Sequence, residues 1–162
     1  MANFQSFTGI ITNIESMEIG TFGKAGCNLL MSVENGEGRI INFVVLPTTY
    51  FVNHEMMEIG DELTGFYDAN APAPFIYPPQ LQAIVMARVR RRQNVKVDHF
   101  NRYLISSDGT LKLNISLATL IMLENEQIFT GDLTERDLIV IYGPTTRSIP
   151  AQTTPYQIVV MC

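Results

Sequence analysis

One stretch of the chain is written twice. Residues 63–86 read LTGFYDANAPAPFIYPPQLQAIVM, and residues 138–161 read LIVIYGPTTRSIPAQTTPYQIVVM. Set 75 positions apart without a gap, the copies match Leu63 with Leu138, Tyr67 with Tyr142, Gln82 with Gln157, Val85 with Val160 and Met86 with Met161. A one-residue slip in the middle also brings Pro74 onto Pro150 and Pro79 onto Pro155. Each copy is an apolar run, a long loop broken by prolines, and a second apolar run. A pattern that recurs with this order of elements predicts one supersecondary unit built twice.

The remaining residues follow the same script in both halves. Residues 7–15 are β-branched and bounded by turn residues, which predicts a first strand. A loop over 18–26 carries Gly20, Gly23 and Gly26. Strands are predicted at 27–34 and 39–46, joined by Asn35-Gly36, a dipeptide suited to tight hairpins because both central positions want positive φ. Pro47 ends the third strand by removing a ladder donor. Residues 48–58 read equally as a short helix or an irregular crossing. Strands then follow at 62–67 and 81–89, separated by the loop 68–80. In the second half, 94–100 is a strand, 102–107 and 110–116 form a hairpin about Asp108-Gly109, and 119–129 reads as another hairpin across Glu124-Asn125-Glu126. Offsets of 72 to 75 between the halves place small insertions at turns, where a duplicated fold tolerates them.

Five strands, with a short element between the third and fourth, is the order of a small Greek-key barrel of the OB type. The polar turn before the fourth strand reads Ile59-Gly60-Asp61 in one half and Asp132-Leu133-Thr134-Glu135-Arg136-Asp137 in the other. With the hairpin, the Thr-rich bend and the loop-and-strand closure, this is similar to small bacterial OB-like β-barrel domains of unknown function, here in tandem duplicate. The resemblance implies a barrel and no activity. The expected fold is therefore all-β: two tandem OB-like five-stranded barrels, 1–90 and 91–162, with at most one short helix each.

Composition narrows the function. The chain is 46% hydrophobic but only 17% charged, and carries a net charge of −5, so it can fill a core yet repels phosphate backbones. No basic N-terminus precedes an apolar run and no segment approaches 18 apolar residues, so neither a leader nor a membrane-spanning helix is expected. The expected compartment is the cytoplasm. Cys27 and Cys162 are the two cysteines; without a CxxC they predict free thiols, Cys27 packed and Cys162 loose.

Three features invite a functional reading. Arg88, Arg90, Arg91, Arg92 and Lys96 form a basic stripe at the joint between halves, five of eleven basic residues. Along a barrel face it would track a nucleic-acid backbone, but it lacks the interleaved aromatics of a stacking platform. The preferred expectation is a solvated edge or an interface-pairing surface. The loop 68–80 carries Phe75 and Tyr77 among four prolines, and its counterpart offers Arg147 and Gln152; these could grip a peptide or sugar, or Phe75, Ile76 and Tyr77 could seal the bottom of a barrel or the contact between the two domains. Packing is the preferred expectation. His54 and His99 fall at non-equivalent places, so no metal site is expected, and no catalytic motif or cofactor signature appears. The expected role is a non-catalytic binding or structural module acting through protein–protein contacts, with a protein partner or a homo-oligomer. A binder of single-stranded nucleic acid or oligosaccharide is the alternative.

Overall fold

A computed structural model describes residues 2–17 and 26–162, so most of the glycine loop expected at 18–26 lies outside the described residues. The described chain is all-β, with one 3-10 turn at Val52–His54, and divides into two compact units, Met1–Val89 and Arg90–Cys162.

In the first unit the strands are β1 (Phe4–Ser16), β2 (Leu29–Glu34), β3 (Ile40–Val45), β4 (Tyr50–Phe51), β5 (Glu62–Asp68), β6 (Gln80–Gln82) and β7 (Val85–Arg88). β1 serves two neighbours: Phe4–Ile10 pairs with β5, and Ile10–Ser16 pairs with β2 across a register shift between Ile11 and Asn13. Gly9 sits at the handover, where an added Cβ would lie 2.5 Å from the Glu34 carbonyl oxygen. Only glycine allows the two backbones so close.

β2 and β3 form the expected hairpin, but its turn differs from the expected one. The positive φ falls on Gly38 rather than on Asn35 or Gly36. The Asn35 side chain is the cause: its Oδ1 accepts the Glu37 and Arg39 backbone N–H groups, drawing the loop into a longer turn.

The single closing strand expected over 81–89 is two strands. β6 runs parallel to β3, and β7 runs antiparallel to β5. The chain changes partner between successive residues, Ala83 N–H donating to Val44 O and Ile84 N–H to Phe66 O. The sheet order is β4-β7-β5-β1-β2-β3-β6, so the pieces of one run bond to strands on both sides of β1. Inside lie Phe7, Ile11, Met31, Val33, Ile41, Phe43, Leu63 and Met86.

In the second unit the strands are β8 (Asn94–Phe100), β9 (Leu111–Leu113), β10 (Leu120–Leu123), β11 (Arg136–Tyr142), β12 (Ala151–Thr153) and β13 (Gln157–Val160). Four of the first unit's six pairings recur, β8 with β11 and β11 with β13 antiparallel, β9 with β12 and β10 with β13 parallel, while the two ladders of β2 have no counterpart among the described residues. Its core holds Phe100, Leu111, Leu113, Leu138, Val140, Ile158 and Val160. The hairpin expected over 102–116 shrinks to bridges at Phe100–Ser106 and Ile105–Lys112, because Asp108 side-chain bonds pull the segment into a turn. The hairpin expected over 119–129 is present, closed by the Met122–Ile128 bridge and the Leu123 N–H to Gln127 O bond.

The ladders also correct the gapless match of the repeat. Phe66 faces Val85, and Ile141 faces Gln157. Val85 therefore corresponds to Gln157 and Met86 to Ile158, since the second loop is three residues shorter. On this register Tyr77-Pro78-Pro79-Gln80 falls on Ile149-Pro150-Ala151-Gln152, and both X-Pro bonds are cis.

Candidate functional site

The loop between β5 and β6 begins at a fixed anchor. Asp68 Oδ1 accepts the N–H groups of Asn3 and Asn70 at 2.9 Å each, and these bonds lower its pKa. Ala69 N–H donates to Asn3 O. The far end is tied by Asn42 N–H donating to Pro79 O, which feeds the chain into β6. Pro72, Pro74, Pro78 and Pro79 restrict φ along the span, which turns on itself through Ala71 N–H donating to Asp68 O and Ile76 N–H to Pro74 O. At the tip Phe75, Ile76 and Tyr77 are 108%, 54% and 80% exposed. Among the described residues of the first unit nothing buries Phe75 or Tyr77 and Ile76 is only half covered, so the expectation that this run seals the barrel is corrected. At the loop's foot Tyr67, Pro72, Leu81 and Ile84 line a cleft of about 230 Å³.

The corresponding loop of the second unit, residues 143–150, is closed by its own polar groups. Thr146 N–H donates to Gln152 O, Gln152 N–H to Thr146 Oγ1, and the Ser148 hydroxyl to Pro150 O. Gln152 Oε1 accepts from Asn114 Nδ2 at 3.2 Å, so this amide braces the loop. Arg147 is exposed and Ile149 is 98% exposed. Sequence reading missed Ile149 as the partner of Tyr77; the three-residue shift that aligns the two X-Pro-x-Gln segments is the signal that could have found it.

The basic stripe does not form a continuous strip. Arg88 Nε lies 3.0 Å from Glu55 Oε2, and its Nη2 donates to Asp61 Oδ2 and to Met56 O at 3.1 Å each. Lys96 Nζ contacts Asp108 Oδ2 at 2.6 Å. Arg91 and Arg92 are exposed at the turn of a hairpin bridged by Arg90 and Gln93. With Arg88 and Lys96 neutralised by carboxylates, the stripe offers less to a phosphate backbone than its sequence suggests.

A second polar centre lies in the second unit. His99 Nδ1 is 3.0 Å from Asp137 Oδ1 and its Nε2 is 3.3 Å from Glu135 Oε2, while Glu135 Oε1 accepts the Arg102 N–H. Burial disfavours the imidazolium, but the two carboxylates outweigh it and raise the pKa. Nearby, burial works against ionised Asp108, yet Lys96, Ser106 and Thr110 hold its carboxyl well below the usual range. Each of these groups is matched within its own unit, and among the described residues no hydroxyl or thiol bonds to the imidazole. The arrangement braces turns.

Cys27, expected to be packed, is exposed, as is Cys162; residues 26–28 form a turn rather than the start of a strand. Among the described residues no group of three or more His, Cys, Asp and Glu side chains is arranged to hold a metal ion, and no helix is long and apolar enough to cross a membrane. No protein-family model matches the chain, and comparison with curated proteins and with solved structures finds no match.

Proposed function

We propose that the protein is a non-catalytic binding module of two tandem OB-type barrels, derived from one duplicated ancestor, that contacts protein partners through the loop between β5 and β6. The barrel reading is supported by β6 and β7, which join the two ends of the β5-β1-β2-β3 order. The duplication is supported by the same four pairings in the second unit. A bacterial cytoplasmic setting belongs to the same proposal; it agrees with the resemblance and with two unpaired thiols.

The single observation that carries the binding role is the run Phe75-Ile76-Tyr77, exposed on a loop stiffened by four prolines. Three successive large apolar side chains in water give up burial free energy of about 25 cal/mol per Å². A rigid display recovers it on binding with little ordering cost.

The test is a photo-crosslinking amino acid at position 75. Protein adducts in extract should be suppressed by excess unmodified protein but not by an excess of a Phe75→Ser/Tyr77→Ser competitor. Absence of any protein adduct, or equal competition by both, would defeat the reading.

A further inference from the structure

We propose that the partner seated on this loop is a second copy of the same chain, each copy placing its Tyr77 side chain in the other's cleft at the foot of the loop. The inference rests on the protein-binding reading above and names its partner.

Projection and recess occur together on one loop. The cleft holds about 230 Å³ and is walled by Tyr67, Pro72, Leu81, Ile84 and the methyl groups of Ala71 and Ala73. That volume falls short of the roughly 300–1,000 Å³ of small-molecule sites, so a side chain is the better occupant. Two polar residues, Asp68 and Gln82, also line it. Asp68, held ionised by its backbone donors, is an acceptor for a phenolic hydroxyl. Tyrosine supplies an apolar ring with one polar end, and a buried Tyr hydroxyl needs such a partner. Tyr77 is 80% exposed and carries both.

A surface holding both projection and recess is self-complementary under a two-fold axis, where each contact is made twice. Charge allows it as well. No Asp, Glu, Lys or Arg occurs from residue 69 to residue 87, so two chains of net charge −5 can meet here without like charges opposed across the tips. The area sets the strength. Two aromatic rings and an isoleucine per copy bury roughly 500 Å² a side, at about 150–250 Å² for each aromatic residue. Twice that lies at the low end of specific interfaces, below about 1,200 Å², where contacts are transient. The dimer is therefore weak and reversible.

Sedimentation of the purified protein from about 5 µM to about 1 mM tests this, a span that covers weak association. The wild type should convert from monomer to dimer. Tyr77→Ala, which removes the projection, and Ala73→Trp, which fills the recess, should each raise the dissociation constant at least tenfold. Both positions are exposed, and circular dichroism melts check that both variants fold. An equimolar mixture of the two should associate more tightly than either alone, because one Tyr77-in-cleft contact is restored. A wild type that stays monomeric, or variants that dimerise as well as it does, overturns the proposal. In that event, crosslinks from position 75 to a different protein leave the protein-binding reading standing, and their absence removes both.

Discussion

His99 carries a pH dependence that follows from its two carboxylate neighbours. Its folded pKa is raised above the ordinary value near 6.5, so the stabilisation is complete below that value and is lost as pH rises through the folded pKa. Melting measured between about pH 6 and 8 should show stability falling with pH, and His99→Gln should flatten that slope; an unchanged slope would place the titration elsewhere. Gly65 answers to packing instead. Its missing Cβ leaves room for the Phe43 ring, whose Cζ would lie 2.6 Å from an alanine methyl, and Phe43 is fully buried. Gly65→Ala should cost about 1–3 kcal/mol in a denaturant titration, the usual cost of overpacking a rigid core.

The loop between β5 and β6 and the strand β7 respond oppositely to substitution. Phe75 and Tyr77 touch no core, so Phe75→Ser/Tyr77→Ser should leave monomer stability within about 0.5 kcal/mol of wild type. A clear loss would restore the packing role. Arg88 sits at the end of β7, where its guanidinium ties the strand to Glu55, Met56 and Asp61 ahead of β5. Arg88→Met should cost about 1.5–3 kcal/mol, the range of hydrogen bonds to charged groups, because the carboxylates lose their partner. An unchanged melting temperature would mean that solvent already screens the pair.

The whole molecule bears net charge −5, and its densest basic segment is partly neutralised at Arg88 and Lys96. A labelled single-stranded oligonucleotide at low salt should therefore show no binding up to tens of micromolar; tight binding that weakens with added salt would reverse this. Strand identity was largely legible in the sequence, because alternating burial imprints a two-residue period: β3, within the expected 39–46, alternates half-buried and buried residues throughout. Partner exchange at Ala83-Ile84 left no such imprint, since both sides of the break are apolar. Register was equally hidden. Identical letters favoured Val85 on Val160, whereas ladder bonds, which ignore side-chain identity, put Val85 level with Gln157. The site was half legible: Phe75 and Tyr77 stood out as aromatics among prolines, yet exposed and buried aromatics read alike in a chain of letters. Sequence alone determined an all-β chain with a recurring element pattern, because periodicity and turn chemistry are local. Only the tertiary structure decided which apolar residues face water and which strands bond, because burial and pairing depend on residues far apart in the chain.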